Sequence, residues 1–260
     1  MSNPYVLVHT LAFNLPSEVE IATRLLYEQC NGDFNKHVIA DLGFPISEDK
    51  LPNSILEAKA INSEKLKSIA KQYGSEYIQL PNIGVSQNWN QIIQHYNLKE
   101  GVIICADPEE RPKNNNWVKA IADVIQMQPK FAWVSLNTEA HENQIQSNLI
   151  KHYKINYYQY RLYSILGISN WAQGGFNVEF VNDIGEIPIP HNYKIYGSLE
   201  FASYQKMAGR YGWCILKDFY VEHTECAHLY REWKNYVIFE KPKSQISFED
   251  YLTAAKGVPK

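Results

Sequence analysis

The chain has 260 residues, a formal net charge of −3, 45% hydrophobic and 20% charged residues, the profile of a globular protein large enough to bury a sizeable core. That balance excludes a general polyanion binder while leaving room for a local basic patch, and no apolar run approaches the ~20 residues of a membrane span. No charged start followed by an apolar core marks a signal peptide, and Cys30, Cys105, Cys214 and Cys226 form no CxxC pair, so reduced thiols in a cytoplasmic protein are expected.

Tyr5–Thr10 reads as a first strand, followed by a polar loop containing Asn14. Pro16-Ser17 opens a helix with Ile21, Leu25 and Leu26 on one face. His37–Ala40 is a second strand, stopping at Asp41-Leu42-Gly43. An acid there either holds a ribose or base, as in dinucleotide folds, or makes an Asx-turn. Residues 53–73 form a polar helix ending at Gly74, and Glu76–Leu80 is a third strand. The segment Pro81–Asn90 leads into a helix carrying Trp89, Ile92, Ile93 and Tyr96. Further on, residues 116–127 read as a helix and Phe131–Leu136 as a strand. Strands alternating with helices predict an α/β protein, a mostly parallel central sheet flanked by helices in a single domain.

Residues 138–170 are less regular. Lys151–Tyr163 interleaves basic residues and tyrosines, which suits stacking on bases or sugars and equally a half-buried helix with long side chains along its surface; the helix is the preferred reading. Trp171–Asn177 carries Gly174-Gly175, a turn signal where backbone can approach a ligand closely. Gly185–Pro190 is a loop, residues 198–211 a helix with Glu200 off its apolar stripe, and Cys214–Glu222 a strand ending at His223. The domain is expected to occupy residues 1–239, with 240–260 as a Lys- and Pro-rich tail or arm.

The central stretch is Val102–Ala106 followed by Asp107-Pro108-Glu109-Glu110-Arg111-Pro112. A buried strand ends at three carboxylates, between prolines that forbid regular structure. Ligands of open α/β sheets bind outside the carboxyl ends of the strands, and Asp107 with Glu109 suits a hard cation held by carboxylates and substrate phosphates.

Several spacings together resemble the family-2 glycosyltransferases of the GT-A fold. Asn82, Gly84 and Asn90 match an Asn-x-Gly-x5-Asn segment, and Asp107–Pro112 an Asp-x-Asp-x-x-Pro motif with glutamate as the second acid. Asp41 falls at the family's base-contacting aspartate, and Glu200 with Gly212-Trp213 at its Glu-Asp…Gly-[Trp/Tyr] helix. His223 falls at the histidine that often follows the next strand. The resemblance covers roughly residues 5–225, and each motif is weak singly, specific only in its joint order.

The resemblance implies inverting transfer of a sugar from a nucleotide-diphosphate donor to an acceptor hydroxyl. It places the donor on Thr10, Asn14, Asp41, Asn82, Gly84, Asn90 and Asp107, a divalent cation (Mn²⁺ or Mg²⁺) on Asp107, Glu109 and His223, and the general base at Glu200. Phe201 departs from the family's aspartate, which keeps a non-catalytic nucleotide-sugar or glycan binder as the alternative. A nucleotidyltransferase usually needs a basic glycine-rich loop after the first strand, and His9–Pro16 has neither glycine nor lysine. The expected acceptor is a saccharide or lipid-linked sugar, with a modified nucleic-acid base as the lesser option.

Overall fold

The structure is a computed structural model that describes residues 4–44, 48, 51, 53–82, 85–139, 142–143, 151–157, 159–166, 173–184 and 212–224. The predicted alternation is present in its first half: β1 (Val6–Ala12), α1 (Pro16–Cys30), β2 (Lys36–Leu42), α2 (Asn53–Tyr73), β3 (Glu76–Leu80), α3 (Val85–His95), β4 (Val102–Cys105). Then follow β5 (Glu110–Pro112), α4 (Trp117–Met127), β6 (Phe131–Asn137), β7 (Lys151–Tyr157), β8 (Tyr160–Leu166), β9 (Gly174–Asn177), α5 (Val178–Ile184) and β10 (Gly212–His223). The strands line up as β3-β2-β1-β4-β9-β6-β10-β8-β7, with β5 paired to the end of β10. In that order only β8 and β9 run against the others. This is the expected mostly parallel α/β sheet.

Period-2 alternation sends successive side chains to opposite faces. Val8, Ile104, Val134 and Leu136 pack under α1 and α4, and Ile39 under α2. Leu7, Val38, Ala40, Ile103, Cys105, Trp133 and Phe176 pack on the other face against Trp89, Ile92 and Ile93 of α3 and Phe180 of α5. In α1 the buried stripe is Val19, Ala22, Thr23, Leu26 and Cys30, while the expected Ile21 and Leu25 are half-buried. No described helix is long and apolar enough to cross a membrane, and the described cysteines, Cys30, Cys105 and Cys214, are buried free thiols.

Two expectations are corrected. Lys151–Tyr163 is no helix: β7 and β8 form an antiparallel hairpin, Tyr157 opposite Tyr160, whose second strand pairs with β10. Tyrosines and isoleucine spaced two apart (Tyr153, Ile155, Tyr157) favour a pleated surface, and Lys154 points to solvent while Leu162 and Tyr163 are buried. Gly174 and Gly175 are no ligand turn either, because they begin β9, wedged antiparallel between β4 and β6. A Cβ on Gly174 would lie 2.5 Å from the Val134 carbonyl oxygen, and one on Gly175 2.9 Å from Ile104 and Ile121 side chains. The close approach is to neighbouring strands and α4. The predicted loop 185–190, helix 198–211 and tail lie outside the described residues.

Candidate active site

The carboxyl ends of β2, β1 and β4 lie side by side, Asp41 beside Ala12 and Cys105 beside His9. Asp41 closes β2 on the α2 face. Its carboxylate accepts hydrogen bonds from the Tyr77 hydroxyl at 2.7 Å and from Lys59 of α2, so its charge is balanced although the residue is only 2% exposed. Asn14 follows β1 in a left-handed conformation (φ 57°). It is 4% exposed, and its carboxamide oxygen and nitrogen have no hydrogen-bond partner among the described residues. Buried amides are nearly always paired, so this one is set up for a group that the described residues do not supply. Thr10 sits deeper, fully buried, its hydroxyl 3.1 Å from His37 Nε2. His37 Nδ1 lies 2.8 Å from the Ser75 hydroxyl. Burial pushes the His37 imidazole down to about 3, so the ring is neutral and acts by hydrogen bonding. Beyond β3, Asn82 is half-buried and Asn90 buried in the first turns of α3, while Gly84 lies outside the described residues.

At the end of β4 the acidic loop folds on itself. Asp107 accepts the Glu109 N–H at 2.8 Å, and the Glu110 N–H reaches the Asp107 carbonyl at 3.2 Å. Arg111 donates to the Pro108 and Glu110 carbonyls and pairs with Glu18 in the first turn of α1, tying the loop to the helix that follows Asn14. The Thr224 N–H and hydroxyl donate to the Glu109 carbonyl at 2.8 and 2.9 Å. His223 stands opposite Glu110 in the β5–β10 ladder, close enough for its charge to act on Asp107. Desolvation raises the Asp107 carboxyl, opposed by the Glu109 N–H, His223 and Arg111. Glu110, which the sequence reading passed over, is the more buried acid at 4% exposure and accepts the Gln173 N–H. Burial, and then Asp107 and Glu109, push its carboxyl well above the usual range. Its position one residue after Glu109 is the only signal the sequence carried for it; strand pairing alone turns it inward.

The structure therefore brings Asp107, Glu109, Glu110 and His223 together, 116 residues apart in sequence at the extremes (107 to 223). Among the described residues, no three His, Cys, Asp or Glu side chains gather tightly enough to hold a metal ion by themselves. The donor set fits the looser case, a loop where one or two carboxylates hold a hard cation and substrate phosphates complete its shell. Glu200 and Phe201 lie outside the described residues.

No protein-family model matches the chain, and no curated protein matches it in sequence. Solved structures do resemble it. GalNAc-T7, solved with UDP, GalNAc and Mn²⁺, is 12% identical over 98% of this chain and 54% of its own, with a TM-score of 0.55. UDP-glucose pyrophosphorylase with UDP-glucose is 10% identical over 97% of both chains, at 0.51. Glucosyl-3-phosphoglycerate synthase from Mycobacterium tuberculosis, with Mn²⁺, UDP and glucosyl-3-phosphoglycerate, is 11% identical over 99% of this chain and 81% of its own, at 0.50. At such identities the likeness shows the fold, the Rossmann-like GT-A arrangement that glycosyltransferases and nucleotidyltransferases share.

Proposed function

We propose that the protein uses a nucleotide sugar and transfers its sugar, with inversion and divalent-cation assistance, to an acceptor hydroxyl. The observation that carries this reading is that neighbouring strands end in two differently equipped clusters, one at β1–β2 and one at β4. At β1–β2, Asn14, two residues past the strand position that pairs with Asp41, offers an amide donor and acceptor with no partner among the described residues, chemistry suited to the hydrogen-bonding edge of a base or to ribose hydroxyls. At β4, Asp107 and Glu109 with His223 beside them would hold Mn²⁺ or Mg²⁺, which supplies positive charge against a departing diphosphate. Two proteins of the same fold, GalNAc-T7 and glucosyl-3-phosphoglycerate synthase, were solved with UDP and Mn²⁺, which supports a nucleotide-sugar and cation reading. Thr10 contributes strand backbone, and Asn82 and Asn90 the segment from β3 into α3. The acceptor is read as a saccharide or lipid-linked sugar.

A cation on Asp107 and Glu109 would face the diphosphate end, while the Asn14 carboxamide, with Asp41 at the neighbouring strand end, would fix the other end of the donor. Fixing both ends orients the anomeric carbon for attack and removes translational freedom before the reaction. A nucleotidyltransferase reading finds no support in the β1–α1 loop, which lacks the basic glycine-rich segment. The test is a thermal-shift screen of nucleotide sugars with and without Mn²⁺, followed by assay of nucleoside diphosphate release. A Mn²⁺-dependent shift with one nucleotide class and release of its diphosphate is expected. No shift with any nucleotide sugar and no release would sink the reading.

A further inference from the structure

The end of β6 carries a second polar cluster. Asn137 is fully buried, and its amide nitrogen donates to Glu142 Oε1 at 2.6 Å and to the Lys217 carbonyl at 3.1 Å. The Tyr220 hydroxyl, on the neighbouring strand β10, reaches the same Glu142 oxygen at 3.3 Å. One carboxylate oxygen of Glu142 is thus held by an amide and a phenol. Among the described residues no basic side chain pairs with Glu142, and nothing bonds its second oxygen. Two further acceptors nearby, the carboxamide oxygens of Asn137 and of Gln173, have no partner among the described residues, and both residues are at most 2% exposed. Gln173 lies between this cluster and the acidic loop, its N–H bonded to Glu110 and its carbonyl accepting the Leu136 N–H.

The position suits a reacting hydroxyl. Trp133 shares the α3 face of the sheet with Ile103 and Cys105, and two-residue alternation carries Asn137 and Asp107 out of the sheet on that same face. Their strands, β6 and β4, are separated only by β9, so the two sites stand two strand spacings apart, roughly 9–10 Å. That leaves space for one sugar unit between diphosphate and acceptor. A carboxylate with one oxygen anchored and the other open is the arrangement a general base requires, since orientation is fixed without using up the basic lone pair.

We propose that Glu142, oriented by Asn137 and Tyr220, receives the proton of the attacking hydroxyl. The inference rests on the glycosyl-transfer reading and gives the role to a residue other than Glu200. As the hydroxyl oxygen bonds to the anomeric carbon, its proton passes to the open oxygen of Glu142. The bond from that carbon to the diphosphate oxygen breaks, and its electron pair leaves on the nucleoside diphosphate. Gln173 and Asn137 accept hydrogen bonds from sugar hydroxyls beside the reacting one.

The experiment measures nucleoside diphosphate release from a panel of UDP-, GDP- and dTDP-hexoses with Mn²⁺, water serving as acceptor, alongside melting temperature and nucleotide affinity. Glu142→Gln keeps the anchoring acceptor and should lower release ~10²-fold or more, with UDP affinity unchanged. Tyr220→Phe, at a residue 40% exposed, should lower it several-fold at native stability, which keeps the inference testable should the glutamine variant fold poorly. Full release by either natively folded variant overturns the role of Glu142, as does a loss explained by weaker UDP binding. Absence of release by the unaltered protein with every nucleotide sugar instead overturns the transfer reading beneath it.

Discussion

Asn14 holds a left-handed backbone while its carboxamide bonds to none of the described residues. Both facts weigh against the residue on stability grounds, because glycine adopts that backbone more readily and a buried unpaired amide costs free energy. Asn14→Gly is therefore expected to leave the melting temperature unchanged or raised, yet to weaken nucleotide binding by ~1–3 kcal/mol, the cost of an unmade hydrogen bond. Calorimetry showing intact affinity would strip Asn14 of its role in the base site. Asp107 behaves differently. Asp107→Asn preserves the acceptor for the Glu109 N–H and so the loop, but removes the charge; divalent-dependent binding of UDP should disappear while metal-free binding persists. Equal affinity with and without EDTA in the unaltered protein would dismiss the cation from this loop.

At the scale of elements, β9 is the piece that joins β4 to β6. Its first residue has no room for a side chain because the nearest obstacle is backbone, the Val134 carbonyl at 2.5 Å, whereas the second glycine's tightest contacts are Ile104 and Ile121 side-chain carbons at 2.9 Å, with the Ile103 carbonyl oxygen farther off at 3.2 Å. Rotamer changes can relieve the second clash but not the first. Gly174→Ala is expected to cost ~3 kcal/mol or more and Gly175→Ala less, both read from urea unfolding. The reverse order would mean that β9 moves out of the sheet more easily than its hydrogen bonds to β4 and β6 imply. Any shift of β9 also displaces Gln173, and through it Glu110 and the acidic loop. Gly174→Ala should therefore impair donor binding in whatever fraction remains folded.

For the whole molecule, buried histidine sets a pH dependence. His37 is pushed from 6.5 to about 3 by burial, and His9 likewise, burial first and His37 second. The unfolded chain binds a proton on each near pH 6.5 while the folded protein does not, so stability is full above that pH and is lost as pH falls from 6.5 toward 3. Between pH 7 and 5 the loss from one such histidine is ~2 kcal/mol. Glu110, with its raised carboxyl, acts in the opposite direction, so the quantity to measure is a difference between variants. His37→Gln should shrink the gap between urea-unfolding free energies at pH 7 and pH 5 by ~2 kcal/mol. An unchanged gap would mean the folded protein protonates His37.

Local pattern was enough to locate most elements of the first half of the fold and the acid at the end of its central strand. Buried runs such as Val102–Cys105 and the stripe of Trp89, Ile92 and Ile93 depend only on which side chains avoid water, and that is written in consecutive residues. Composition likewise bounded the class of protein. What the chain could not disclose locally was pairing. Lys151–Tyr163 satisfies a half-buried helix and a hairpin about equally until β10 presents an edge for β8, and Gly174-Gly175 reads as a turn until two flanking strands close on it. Side-chain partners obeyed the same limit: Lys59 and Tyr77 reach Asp41 from 18 and 36 residues away, and Glu142 gains its anchors from Asn137 and from Tyr220, 78 residues on. Hydrophobic burial is a property each residue carries with it, whereas a hydrogen bond or strand register exists only between residues the fold has brought together, so tertiary structure decided which acids became neighbours and which faced inward.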